Sequence, residues 1–142
     1  MKKLLILSVV LLLGIFSVTA QSSWEVLVEW DILVTSDCQF VDLQNDRFVV
    51  AITIEDIANN TIVVNNSINI EPNDVDNSTF DLQDVQDYCG QTHQNTPNFK
   101  LYTAVRMVNI SSLTEYCFTK STVSNLSCSD FSDGVYVYLQ FD

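Results

Sequence analysis

Apolar and polar residues alternate with a period of two over several long stretches of this chain. Every second residue is apolar in 24–34, and residues 135–141 repeat the pattern after an Asp133-Gly134 pair. The side chains of a β-strand point alternately to its two faces, so both stretches predict strands with one buried face. Further strands are predicted at 47–55, 61–64, 67–70 and 99–107, and a hairpin is predicted across 113–128.

Turn-forming residues separate these segments. Asn59 and Asn60 tolerate left-handed backbone angles and predict a turn, Pro72 ends the strand before it, and residues 71–79 predict an acidic loop. About seven strands joined by polar turns are typical of an all-β protein. We therefore predict an antiparallel β-sandwich of immunoglobulin-like or transthyretin-like kind, in a single domain over residues 21–142.

One stretch departs from the alternation. Leu82, Val85 and Cys89 recur at helical spacing and predict one short helix near 80–89. Residues suited to its two ends are Ser78 or Thr79 as the cap and Gly90 as the terminator.

The first 20 residues have the three-part layout of a secretory signal peptide. Lys2 and Lys3 precede an apolar run at 4–16, and Ala20 lies at the expected cleavage edge. The run has about 13 residues, whereas a membrane-spanning helix needs about 20. We therefore expect cleavage after Ala20, no membrane span in the mature chain, and a secreted, periplasmic or cell-surface location.

Acidic residues far outnumber basic ones. The whole chain has six Lys and Arg against 18 Asp and Glu, a formal charge of −12. The leader removes Lys2 and Lys3, so four basic residues face the same 18 acids and the mature chain carries −14. Such a charge repels nucleic acid phosphates and anionic lipid, and we expect neither as a partner.

Four cysteines follow the leader, namely Cys38, Cys89, Cys117 and Cys128. An even number in an exported chain predicts two disulfides. Of the three pairings, the sequence favours Cys117–Cys128, which would close a local hairpin, and this leaves Cys38–Cys89. The spacing matches no Cys-x-x-Cys or Cys/His metal motif, so zinc and thioredoxin-like chemistry have little support.

Catalytic motifs find little support in the sequence. The one histidine, His93, lies in a polar stretch, and no Gly-x-Ser-x-Gly elbow accompanies it. We therefore predict that the protein is not an enzyme and needs no organic cofactor.

Two acidic turns are candidates for calcium binding. Oxygen ligands lie at alternate positions in 73–78, and a second acidic turn occupies 130–134. Two acidic loops at one end of a sandwich would be able to share an ion. The alternative, which the sequence favours, is that Asp and Asn simply form turns. The residues in question are Asp74 and Asp76 in the first turn, and Asp130 and Asp133 in the second.

Aromatic residues define a candidate binding face. Tyr136, Tyr138 and Gln140 share the polar side of the last strand and predict a flat patch for a sugar or a protein. Trp24 and Trp30 share the apolar side of the first strand and are predicted in the core. The scarce cations Arg47 and Arg106 are expected either to neutralise nearby acids or to anchor an acidic ligand.

Three functions follow from these patterns. The first is a secreted or surface binding module, without catalysis, for a protein or glycan. The second is a self-assembling surface subunit that adds strand 135–141 to a neighbour's sheet edge. The third is a small secreted hydrolase or inhibitor.

Overall fold

The computed structural model describes residues 23–32, 38, 42–72 and 76–141. Over this range the chain forms seven strands and two short helices. The predicted leader lies outside the described residues. In chain order the elements are β1 (Glu25–Ile32), β2 (Asp46–Asp56), β3 (Thr61–Ile70), β4 (Asn77–Asp81), α1 (Gln83–Cys89), β5 (Phe99–Asn109), β6 (Thr114–Leu126), α2 (Cys128–Asp133) and β7 (Val135–Phe141).

The strands form a three-stranded sheet in the order β4-β1-β7 and a four-stranded sheet in the order β3-β2-β5-β6. Neighbouring strands are antiparallel except β1 and β7, which run parallel with Val26 opposite Val135. The predicted all-β class with seven strands in a sandwich-like arrangement is thus confirmed, whereas the prediction that all strands pair antiparallel is wrong for β1 and β7. In an immunoglobulin constant domain the first, second, fourth and fifth strands share one sheet, so the grouping here differs from that type.

The two sheets pack their apolar faces against each other. Trp30 of β1 is only 1% exposed, and its ring centroid lies 5.3 Å from that of Phe48 in β2. Phe48 in turn lies 6.2 Å from Phe141 of β7, so aromatic contacts join the sheets. The predicted core position of Trp30 is confirmed, and Trp24 is partly buried against the same core.

The structure confirms the predicted short helix but corrects the residues that were expected to cap it. α1 ends where Gly90 was expected to end it, and the short helix is confirmed. Ser78 and Thr79 do not cap it, because they belong to β4, where Ser78 faces inward and is 6% exposed. The side chain of Asp81 serves the helix start instead, since its Oδ1 accepts a hydrogen bond of 2.9 Å from the amide of Gln83.

The hairpin predicted across 113–128 is wrong. β6 continues without a reversal from Thr114 to Leu126 and pairs with β5 along this length. The chain reverses earlier, after β5, where Leu113 adopts a positive φ of 57°. A second predicted turn is confirmed at Asn60, whose φ of 52° uses the left-handed tolerance of asparagine.

The length of β6 also excludes the disulfide pairing that the sequence favours. From Cys117 to the end of β6 is about 30 Å at 3.3 Å per residue, whereas the Cα atoms of a disulfide lie within about 7 Å. The favoured pairing Cys117–Cys128 with Cys38–Cys89 is therefore wrong. The bonds are Cys38–Cys117 and Cys89–Cys128, so the prediction of two disulfides itself is confirmed.

The Cys89–Cys128 bond joins the end of α1 to the start of α2. Two disulfides indicate an oxidising compartment. Among the described residues, no helix is long and apolar enough to cross a membrane.

Candidate binding surface on the four-stranded sheet

The outer face of the four-stranded sheet contains a shallow groove. Its floor is an alanine pair, because Ala51 of β2 lies directly opposite Ala104 of β5. The strands alternate in burial around this pair, so both methyl groups point away from the core and remain half-buried. Larger neighbours surround these small side chains, and a depression of about 300 Å³ results.

One wall of the groove carries a ring, two hydroxyls and an amide. The register places Thr53 opposite Tyr102, with Asn65 and Thr122 on the flanking strands. Thr53 donates a hydrogen bond of 3.3 Å from Oγ1 to Oδ1 of Asn65. This row therefore offers hydrogen-bond donors and acceptors beside an aromatic ring.

Tyr102 is held in place from two sides. Its hydroxyl donates a hydrogen bond of 3.3 Å to Oε2 of Glu55. The ammonium nitrogen of Lys100 lies 4.8 Å from the centre of its ring. A cation at this distance is attracted to the ring face, so the tyrosine ring is fixed at the groove wall.

Two cations form the other side of the groove. Lys120 of β6 lies opposite Ala104, and Arg106 follows Ala104 by two residues on the same outer face of β5. Arg106 forms an ion pair of 3.5 Å with Glu115, and both side chains are largely in solvent. Lys120 forms no ion pair with any described residue.

Charge is divided unequally between the two outer faces of the sandwich. We call the outer face of the four-stranded sheet the basic face, because it carries every Lys and Arg of the described residues: Arg47, Lys100, Arg106 and Lys120. We call the outer face of the three-stranded sheet the acidic face, because its described residues include four acids and no Lys or Arg. These acids are Glu25, Glu29 and Asp31 on β1 and Asp81 on β4. A chain with strong net negative charge thus collects its positive charge on one side.

The predicted tyrosine patch lies on the acidic face. Tyr136 and Tyr138 are 57% and 48% exposed, and Gln140 beside them is exposed as well. The hydroxyl of Tyr136 donates a hydrogen bond of 2.8 Å to Oε2 of Glu29. This hydrogen bond, with burial and the charge of Glu29, raises the pKa of Tyr136. The structure therefore brings these three residues together, but beside acids rather than cations.

The acidic turns considered for calcium are kept apart. Asp76 lies near the end of β1, where its carbonyl accepts the amide of Trp30, whereas Asp133 lies near the start of that strand. The two positions are more than about 10 Å apart at 3.3 Å per residue. Asp74 lies outside the described residues. Among the residues that are described, no group of three or more acidic, His or Cys side chains is placed to hold a metal ion.

Asp130 has a structural role. Its Oδ2 accepts hydrogen bonds of 2.7 Å from the amide of Ser127 and 2.6 Å from the Ser127 hydroxyl at the start of α2. These bonds lower the pKa of Asp130. Calcium binding stays a prediction, and a shared site of the two turns has no support here.

The single histidine packs against an aromatic ring. The His93 ring centroid lies 4.1 Å from that of Tyr88, and its Nε2 is 2.7 Å from the Tyr88 carbonyl oxygen. Arg47 pairs with Glu71 at 3.4 Å and Arg106 pairs with Glu115, as expected of cations that neutralise nearby acids. The other expectation, that one of them anchors an acidic ligand, stays a prediction.

Comparison with known proteins gives no family: no protein-family model, curated protein or solved structure matches this chain. The groove is therefore described by its own residues alone. Of these, the sequence identified only Arg106. The period-two pattern was the available signal for the outward direction of Ala51, Tyr102 and Lys120, but it does not say which strands are neighbours.

Proposed function

We propose that this protein is a non-catalytic binding module that holds a glycan in the groove of the basic face. The observation that carries the proposal is the alanine floor beside Tyr102, with polar and charged side chains around it. The oxidising compartment indicated by the disulfides fits a secreted or cell-surface location.

A sugar suits this lining because it is amphipathic. The C–H face of a pyranose packs on an aromatic ring and on methyl groups, while its hydroxyls need donors and acceptors at the edge. The C–H face would pack on the floor formed by Ala51 and Ala104 and on the ring of Tyr102. The sugar hydroxyls would find donors and acceptors on Thr53, Asn65 and Thr122. The volume of about 300 Å³ is at the small end of ligand sites, so the groove suits a short segment of a glycan.

The strand grouping also favours one kind of sandwich. Because it departs from the immunoglobulin grouping, we propose the transthyretin-like kind of the two that the sequence predicts.

A specific observation supports a second function, recognition of a protein or of a second copy through β7. Within the described residues β7 pairs with one strand only, β1, and it carries the exposed Tyr136 and Tyr138. Edge strands are able to accept an additional strand, and exposed tyrosines are common at protein interfaces.

Paired substitutions distinguish the two faces. Tyr102→Ala removes the ring from the groove, and Tyr138→Ala removes a ring from the acidic face. With a glycan array followed by titration of bound polysaccharides, we expect Tyr102→Ala to weaken binding about tenfold, the size of a lost aromatic contact, and Tyr138→Ala to change it little. Equal melting temperatures of the variants and the wild-type domain serve as the folding control.

Two results would contradict glycan binding in the groove. One is a wild-type domain that binds no polysaccharide on the array at high concentration. The other is a loss of binding in Tyr138→Ala but not in Tyr102→Ala, which would move the site to β7.

A further inference from the structure

We infer that the glycan is acidic, and that the structure assigns Arg106 and Lys120 to a carboxylate carried by its sugars. This inference rests on the proposed function and names the class of its ligand. The chemistry is that of a uronate polymer, in which a carboxylate is attached to the pyranose ring.

The first argument is where the positive charge lies. After its predicted leader the chain has four basic residues against 18 acids. All four of these basic residues are described, and all four lie on the basic face. Two of these four, Arg106 and Lys120, lie beside the groove floor. Cations that served only to neutralise the abundant acids would be expected on both faces, yet the acidic face has none among its described residues.

The second argument is geometric. Lys120 is opposite Ala104, about 5 Å away across the strands, and Arg106 is about 7 Å along β5 on the same face. A sugar ring on the alanine floor therefore has both cations within reach of a carboxylate at its edge. Guanidinium is suited to grip a carboxylate with two parallel hydrogen bonds, and the lysine adds a point charge.

The third argument is that both cations are available. Lys120 has no ion-pair partner among the described residues. Arg106 has Glu115 at 3.5 Å, but this pair is exposed, and exposed pairs contribute little. A carboxylate seated on the groove is thus able to replace Glu115 or to share the guanidinium with it.

The net negative charge of the domain does not prevent this contact. Charges separated by more than about 8 Å of solvent are largely screened at physiological ionic strength. The acids of the acidic face lie on the far side of two packed sheets, which are themselves about 10 Å apart. On the basic face, the acids nearest the groove already have partners: Glu55 accepts the hydroxyl of Tyr102, and Glu115 pairs with Arg106. The effect of the acids on the acidic face is to repel a polyanion from the far side, so binding occurs on the basic face alone.

Methyl esterification provides a sharp test, because it removes the carboxylate charge and leaves the sugar backbone unchanged. The probes are polygalacturonate, alginate and hyaluronate, each beside its methyl ester, titrated against the mature domain at physiological ionic strength. We expect at least one acidic form to bind, and its ester to bind at least about tenfold more weakly.

Charge-removing variants test the assigned residues. Arg106→Gln and Lys120→Gln are each expected to weaken binding of the acidic form about tenfold. Arg47→Gln is the matched control, since it removes the same unit of charge from the same face and, like Arg106→Gln, separates one ion pair with a glutamate, but it lies outside the groove. We expect its affinity to stay within about twofold of the wild-type value, with all melting temperatures unchanged.

The outcomes separate this inference from the proposed function. An ester or a neutral polysaccharide that binds as tightly as the acidic form overturns the inference and leaves glycan binding in place. Equal losses in Arg47→Gln, Arg106→Gln and Lys120→Gln overturn the assignment to the pair, because they would reflect overall charge. Binding to none of the acidic probes also overturns the inference, and the neutral glycans of the array then decide on the proposed function.

Discussion

The hydroxyl of Tyr88 in α1 donates a hydrogen bond of 3.0 Å to Oδ2 of Asp56, the last residue of β2. Asp56 is fully buried, and its carboxylate also accepts hydrogen bonds from the Ala58 amide, the Asn59 side chain and the Asn98 amide. One carboxylate thus joins the helix, the β2–β3 turn and the segment before β5.

Asp56→Asn is expected to lower the free energy of unfolding by about 2 kcal/mol or more. The new amide group would face donors, and buried donors without an acceptor cost about 1–3 kcal/mol each. Urea denaturation of the oxidised domain measures the change. Asp31→Asn, at an exposed acid of β1, is the control, and an equal loss in both variants would contradict the role of Asp56.

The same carboxylate makes stability depend on pH. Burial alone would raise the pKa of Asp56, but hydrogen bonds from Asn59, Asn98, Tyr88 and Ala58 outweigh it and hold the pKa below its ordinary value. A lowered pKa stabilises the fold at pH above about 4, the unfolded value, and this contribution is lost as the pH falls further. We expect unfolding free energy to drop below about pH 4, less steeply in Asp56→Asn than in the wild type. Parallel curves for the two proteins would count against the expectation.

Thr103→Val is expected to stabilise the domain. Thr103 faces the core from β5, is 2% exposed, and its hydroxyl has no hydrogen-bond partner among the described residues. Valine has nearly the same shape and suits a strand, so the variant should gain about 1 kcal/mol by removing an unsatisfied buried hydroxyl. Val105→Thr, two residues along the same face, makes the reverse change and should lose stability. A lower melting temperature in Thr103→Val would show that the hydroxyl has a partner.

Trypsin distinguishes the disulfide pairings directly, because four of the six basic residues, namely Arg47, Lys100, Arg106 and Lys120, lie between the cysteines. Cleavage without reduction is expected to leave the peptide that ends at Arg47 linked to 107–120, and peptide 48–100 linked to 121–142. Mass spectrometry before and after reduction identifies both pairs. A linked pair of 107–120 with 121–142 would instead support the local bond that the sequence favours.

The alternation of residues was sufficient to predict the strands with continuous apolar faces. It placed β1, β2, β5 and β7 to within a few residues, because each fills its inward positions with large apolar side chains. β4 was missed because Asn77, Ser78 and Thr79 favour turns, and only Phe80 is a large apolar residue there. Its strand geometry comes from pairing with β1, which is a tertiary effect.

Neither the cysteine pairing nor the groove could be predicted from the sequence, for a related reason. Both depend on which strands are neighbours, and residue patterns describe each strand separately. Cys38 meets Cys117 across 79 residues, and Ala51 meets Ala104 only because β2 and β5 are adjacent in the sheet. The aromatic pattern of β7 was visible because it lies within a single strand, and so it drew attention to Tyr136 and Tyr138.

The parallel pairing of β1 with β7 has a consequence for how the chain folds. Among the described strands, β1 leaves the ribosome first, and β7, the longer of its two hydrogen-bonded neighbours, leaves last. Until then β1 has only the five-residue β4 as a partner. Because β7 is one of its strands, the three-stranded sheet closes only after β7 has been made. Contacts between such distant parts of a chain also form slowly. The chain therefore completes its tertiary structure only after the last of its described strands has been made.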